Sequence, residues 1–189
     1  MPFLEGKLIF LRGLCSEDAD GGYPLWFNSD DINKHNSHHR HPYSRTEAIS
    51  YIEALLEDRT KLVLAIVDKD TNRHIGNVAL QDINNINRSA NLAIIIGEKD
   101  FWGRGIAVEA SRLIISHGFF ELNLHRIDAG TSSENASAIA WLEKLGFIKE
   151  GHKRRAHYKN GSYHDIVEYG ILREEWEEWE KLMCGAEME

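Results

Sequence analysis

The stretch GEKDFWGRGIAVEASRLIISHGFFE, residues 97–121, runs from the end of an apolar segment through two closely spaced glycines into a helical pattern. Gly103 and Gly105 flank Arg104, and neither carries a Cβ that would keep a ligand away from the main chain. A helix beginning near Ala107 brings unpaired backbone N–H groups and the positive end of its dipole to the same place. Such a turn suits an anion, above all a phosphate, with Arg104 adding charge at the rim. The plain alternative is that the glycines only tighten a strand-to-helix turn.

The elements on either side extend this β–turn–α centre. Upstream, KLIFLR (7–12), LVLAIVD (62–68), IGNVALQDI (75–83) and ANLAIIIG (90–97) read as strands, and the short polar turns between the last three predict an up-and-down antiparallel arrangement. Ser44 with Glu47 forms a capping box ahead of a helix whose stripe is Ile49, Ile52, Leu55 and Leu56. Downstream, HRIDAGT (125–131) is a strand, and ENASAIAWLEKLGF is a helix closed by Gly146. Residues 151–172 give two strands around Asn160-Gly161, a strong hairpin signal. The acidic REEWEEWEKLMCGAEME (173–189) reads as a surface helix with a frayed end. The fold class is mixed α/β (α+β), with one domain over residues 1–172 followed by the acidic tail.

Composition narrows the function. At 189 residues the chain is long enough for one sizeable core. The net charge of −8 is concentrated in the tail, where residues 173–189 hold seven acids against two bases; residues 1–172 therefore carry 23 acids against 20 bases. No basic face for nucleic acid is indicated, and no apolar run approaches the ~18 residues that span a bilayer. Cys15 and Cys184 have no metal-type spacing and suggest no disulfide framework. A soluble, cytoplasmic protein is the expectation.

Two phosphate-binding patterns compete at the turn. A nucleotide-triphosphate loop needs Lys-Ser/Thr after its last glycine, and Ile106-Ala107 stand there. A dinucleotide fingerprint could open at Gly103-x-Gly105, with Asp128 as the ribose acid, but Val108 occupies its third glycine position and the preceding strands read as hairpin-linked.

Together, Trp102-Gly103-Arg104-Gly105-Ile106-Ala107 and Asn135 followed by Leu142-Glu143-Lys144-Leu145-Gly146-Phe147 resemble the GNAT superfamily of acetyl-CoA-dependent N-acetyltransferases. The similarity covers residues 75–172. It looks most like the branch of ribosomal-protein, polyamine and amino-sugar acetyltransferases. The resemblance implies a mostly antiparallel twisted sheet of six to seven strands with about four flanking helices and a C-terminal helix. It also implies that residues 102–107 hold the pyrophosphate of coenzyme A, that the backbone of Ile94, Ile95 and Ile96 pairs with the pantetheine arm, and that Asn135 contacts the cofactor. A simple N-cap is the alternative for Asn135.

Acetyl transfer to an amine of pKa near ~10 needs a base, and the departing thiolate, of pKa ~8.5, gains from an acid. Where many relatives of this type place a tyrosine donor, Leu142 stands; where the ribosomal branch places a serine, Ala138 stands, with Ser137 one residue earlier and about 100° around the helix. Ser137 is the candidate acid and Asp82, ending its strand, the candidate base. His38, His39, Tyr43 and Tyr163 are candidates for the acceptor side, where His157, Tyr158 and His164 of the terminal hairpin could also line the cleft and Trp26 and Phe27 wall it. The spacing of His35, His38, His39 and His41 gives no closed four-ligand metal geometry.

Three functions stay open: acetyl transfer to a primary amine, a catalytically weak CoA-binding or regulatory domain, and a dinucleotide binder. The acceptor is a terminal, polyamine or amino-sugar amine, and Trp176 and Trp179 of the tail pack on the body or on a twin subunit, making a homodimer.

Overall fold

Short polar connections lay successive strands side by side, and eight strands build one sheet in the order β1-β2-β3-β4-β5-β6-β8-β7. They are β1 (Leu4–Glu5), β2 (Ile9–Gly13), β3 (Leu62–Asp68), β4 (His74–Asn84), β5 (Ser89–Ile96), β6 (Arg126–Ser132), β7 (Ile148–Lys159) and β8 (Ser162–Leu172). In this computed structural model residues 1–186 are described, with side chains through Met183; the frayed end expected of the tail and the side chain of Cys184 lie outside them. Every pairing is antiparallel except β5 with β6. The predicted hairpin closes through Asn160 (φ 49°) and Gly161 (φ 78°), the left-handed pair that matches strand twist.

Among the described residues five α-helices accompany the sheet: α1 (Tyr23–Phe27), α2 (Arg45–Leu55), α3 (Ile106–Phe120), α4 (Ala136–Lys144) and α5 (Arg173–Ala186). The capping box at α2 forms as read: Glu47 N–H donates to Ser44 Oγ at 3.3 Å and Ser44 N–H to the Glu47 carboxylate at 2.7 Å. Its expected stripe is shorter than predicted, since Ile52 is buried while Leu56 caps the helix in solvent. The sequence reading missed β1 and α1.

Alternation along the strands assigns the two faces. Ile94 and Ile96 of β5, Ile127 and Ala129 of β6, and Val167, Tyr169 and Ile171 of β8 join the main core with α3 residues Ala110, Ile114, Ile115 and Phe119. Ile95 packs on the other face, in a second cluster made by Tyr23, Trp26, Ala48 and Ile52 of α1 and α2. Asn91, Asp128 and Ser132, odd with Ile95 or even on β6, share that second face.

The tail helix continues directly from β8. Trp176 is fully buried and donates its indole N–H to Ser116 Oγ at 3.2 Å, while Trp179 stacks on it at 4.7 Å and donates to the Lys144 carbonyl. The segment expected as a surface helix is thus docked on α3 and the end of α4 by both tryptophans.

Candidate active site

The parallel pairing of β5 and β6 lasts three rungs, Ser89 with Arg126, Ala90 with Ile127 and Asn91 with Asp128. Beyond Asn91 the strands part. Gly97 N–H bonds to Ile75 O on the β4 side at 2.9 Å, and Arg88 O accepts from Arg126 N–H on the β6 side at 3.2 Å. These two bonds fix the parity of β5, so the main-chain groups of Ile94 and Ile96 face the gap and those of Ala93 and Ile95 face β4. Of the three isoleucines expected to present backbone, two do so, and Ile96 O already accepts from the Trp102 indole N–H at 2.9 Å. The half-exposed Trp102 therefore fastens the glycine turn to the end of β5.

Gly103 and Gly105 have φ of 76° and 79°, and a Cβ built on either meets nothing within 4 Å. Glycine is needed here for conformation, and the space outside each residue is open. Gly105 is the N-cap of α3 and no side chain caps that helix, in contrast to α2, capped by Ser44, and α4, capped by Asn135. The first intrahelical bond is Glu109 N–H to Gly105 O. The N–H groups of Ile106 and Ala107 are thus presented at the open end of the gap, while the Ile106 side chain is buried in the core. Arg104 lies over the Phe101 ring at 5.0 Å, a charge at the rim of the turn. The donors, the left-handed glycines and the unpaired strand edge fit a pyrophosphate followed by an amide-bearing arm.

Asn135 is fully engaged in capping. Its Oδ1 accepts from Ala138 N–H at 3.2 Å and from Ser137 Oγ at 2.9 Å, and its Nδ2 donates to Thr131 Oγ1 at 3.2 Å. Ser137 is exposed with its hydroxyl on that amide, and Leu142 is fully buried. Asp82, left-handed at φ 52°, sits in a bulge of β4 and accepts from Asn91 Nδ2 at 3.1 Å. It stands beside the last rung before the strands part.

The predicted acceptor residues scatter. His38 packs edge-on against Phe27 at 4.7 Å, and burial lowers its pKa. His39 Nδ1 meets Asp30 at 2.7 Å. Tyr43 is tied to Asn28 through both its N–H and its C=O, and its ring lies against Phe27 at 4.8 Å in the second core. Trp26 is buried and donates to Glu98 at 2.9 Å. Tyr163 packs against Tyr158 with the rings tilted at 5.0 Å, on the opposite face of the hairpin from His157 and His164. The residues that instead converge are Lys34, His35, Ser132, Glu134, His157 and Lys159, around a pocket beside the end of β6. Lys34, Ser132, Glu134 and Lys159 escaped the sequence reading. The Asn160-Gly161 register was the available signal, since it pairs His157 with His164 and Lys159 with Ser162 on one face.

The dinucleotide reading fails on topology. The strands before the turn are antiparallel, and Asp128 is spent on Arg126, whose Nε donates to it at 2.6 Å.

Residues 9–148 match the family model described as acetyltransferase (GNAT) domain, and the chain belongs to that family. It is 34% identical over 177 residues to the uncharacterized N-acetyltransferase p20 of Bacillus licheniformis, covering 93% of this chain and 99% of p20. With YdaF of Bacillus subtilis (strain 168) it shares 37% identity over 102 residues, which is 54% of this chain and 55% of YdaF. The fold superposes on the crystal structure of spermidine N-acetyltransferase from Vibrio cholerae in complex with CoA and spermine with a TM-score of 0.82, at 28% identity, over 90% of this chain and 99% of that one. The protein is an acetyltransferase.

Proposed function

We propose that the protein transfers an acetyl group from acetyl-CoA to a primary amine by direct attack within a ternary complex. The observation that carries this reading is the parting of β5 from β6 after Asn91, with the uncapped, left-handed Gly103–Gly105 turn at its open end. Main-chain N–H groups at Ile106 and Ala107 bind the pyrophosphate. The free N–H of Ile94 is the donor available to a thioester carbonyl, where a fixed dipole counters charge that develops on attack. The amine nitrogen bonds to the acetyl carbon, the C–S bond breaks, the amine loses a proton and the thiolate gains one. We assign the first proton to Asp82, through water, and the second to Ser137. Much of the acceleration then rests on orientation of the two substrates. The solved Vibrio cholerae relative is a spermidine N-acetyltransferase bound to CoA and spermine, which supports CoA and a small amine as substrates here.

The test is release of free thiol from acetyl-CoA against a panel of peptide N-termini, polyamines and amino sugars, alongside calorimetry with CoA. Turnover with at least one amine is expected; CoA binding without turnover on any amine replaces transfer by the CoA-binding regulatory role, and absence of CoA binding removes both. Asp82→Asn is expected to lower kcat and flatten its pH profile, and unchanged turnover across pH would remove that residue from the mechanism. Trp176 is spent inside the protomer while Trp179 stays partly exposed, and sedimentation velocity measures directly whether a homodimer forms.

A further inference from the structure

Three segments far apart in the chain enclose a pocket of about 110 Å³ on the α1/α2 face of the sheet, next to Ser132 at the end of β6. That space is several times what one ordered water needs. Lys34 and His35 come from the loop after α1, Glu134 from the turn after β6, and His157, Lys159 and His164 from the β7–β8 hairpin.

Two independent observations mark it as a place for a ligand. His157 is only 7% exposed, yet its buried Nε2 has no hydrogen-bond partner among the described residues. A buried polar nitrogen is rarely left so, because it has given up water for nothing. The second observation is a charge imbalance. Lys159 is 9% exposed, and its ammonium donates to the His38 carbonyl at 2.7 Å, a neutral acceptor. Glu134, the carboxylate of the lining, faces His164 Nδ1 at 3.1 Å. His35 and Arg40 from the loop, and Lys159 and His164 from the hairpin, all bear on His157; burial first, and then these positive neighbours, lower its pKa. Lys159 is lowered in the same way, by burial and then Arg40, against a weaker pull from Asp30. Positive groups crowded in a partly dry site are relieved by an anion.

We infer that this pocket anchors the acceptor, and that it takes an anionic group, a carboxylate or a phosphate, carried by the amine substrate. His157 Nε2 donates to the anion, and Lys159 and Lys34 supply the countercharge. The inference rests on the acetyltransferase reading above and narrows its acceptor: amines bearing a nearby anion are selected, and polyamines, which bring only positive charge, are disfavoured.

The experiment has a binding arm and a turnover arm. In the CoA-saturated full chain with labelled histidine, NMR follows His157 while inorganic phosphate or acetate is titrated. The His157 signal is expected to move and its pKa to rise, because a bound anion favours the imidazolium, so that anion affinity increases as pH falls through that pKa. Which of the two anions moves it more distinguishes phosphate from carboxylate. In turnover, paired amines that differ only by carboxylate against amide, or phosphate against alcohol, are compared together with spermidine. The anionic member is expected to have about a tenfold higher kcat/KM, the size of one charge-assisted hydrogen bond. Lys34→Glu, at an exposed position that leaves folding intact, should abolish or invert that preference while CoA affinity stays unchanged; His157→Gln should remove the response to the anion. A silent His157, a panel that favours spermidine, or displacement of CoA by phosphate would each overturn the inference. Acetyl transfer indifferent to acceptor charge overturns it alone, whereas failure to bind CoA strikes the acetyltransferase reading instead.

Discussion

Replacing Gly105 by alanine separates the conformational role of the turn from its role in binding. At φ 79° and ψ −3° an alanine sits in left-handed space, which costs about 1–2 kcal/mol. No atom lies within 4 Å of the added Cβ, so no steric cost adds to this. For a chain of this size that loss lowers Tm by roughly 2–8 °C. If the turn relaxes toward negative φ, the Ile106 and Ala107 N–H groups swing off the pyrophosphate. A hydrogen bond to a charged group contributes about 1.5–3 kcal/mol, so Kd for CoA is expected to rise about 10- to 100-fold. The control is Gly146→Ala. It has the same left-handed strain at φ 81°, and its Cβ would also fall 2.7 Å from Trp179 of α5. It should lose at least as much stability and keep its CoA affinity. Calorimetry with CoA and thermal melts on both variants decide the matter. Wild-type affinity in Gly105→Ala, or equal loss in both variants, would refute the assignment of the pyrophosphate to this main chain.

Asp18 is buried and bridges Arg12, bonded through both oxygens at 2.7 Å, His74 Nδ1 at 3.0 Å and the Cys15 N–H at 2.9 Å. Burial alone would raise its pKa, but the hydrogen bonds from Arg12, His74 and Cys15 outweigh it and hold the carboxyl well below the ordinary range. A depressed native pKa means that this stability is present above the unfolded value near ~3.9 and is lost as pH falls toward the native one. Asp18→Asn is expected to cost about 3 kcal/mol at pH 7 by urea unfolding, with the gap to wild type closing in acid; a gap that stays constant down to pH 3 contradicts the account. Trp176→Ala, at a fully buried position, should cost about 3–5 kcal/mol, and a chain cut after residue 172 should be destabilised in the same measure, since α5 completes the core. Ser137→Ala should lower kcat and leave KM for acetyl-CoA unchanged if its hydroxyl serves the thiolate, with no loss of Tm because the serine is exposed; stopped-flow turnover and a melt check both.

Where a structural instruction is local, the sequence carries it legibly. Ser44 and Glu47 announce their helix three residues apart, Asn160-Gly161 its hairpin, and Gly103 and Gly105 a left-handed turn into α3, because in each case the atoms that interact are already neighbours along the chain. The short β1 and α1 are invisible for the opposite reason. The two residues of β1 gain their strand geometry from Leu11 and Phe10 across the sheet, and the five of α1 from Tyr23 and Trp26 packing on Ala48 and Ile52. Trp176, set among Glu residues, is legible in sequence as packing on the body or on a twin subunit, and the docking of α5 on Phe119 and Ser116 shows that it packs on the body.

The same distinction separates the two sides of the proposed site. The pyrophosphate proposed for this turn would be held by main-chain N–H groups, so its site needs only a backbone shape, and two left-handed glycines in a six-residue stretch supply one. An acceptor is distinguished by side chains, and those of the proposed pocket come from residues 34–35, 132–134 and 157–164, brought together only after β6 and β8 pair and the loop after α1 folds across them. In sequence the histidine-dense loop advertises itself, yet His38 and His39 turn to Phe27 and Asp30, and the orphaned nitrogen belongs to His157 of the terminal hairpin, which the sequence offers as a further lining of the cleft. If the acceptor pocket lies where we infer it, substitutions of His38 or His39 should change loop packing and melting temperature, and substitutions of His157 or Lys34 should change which amine is acetylated.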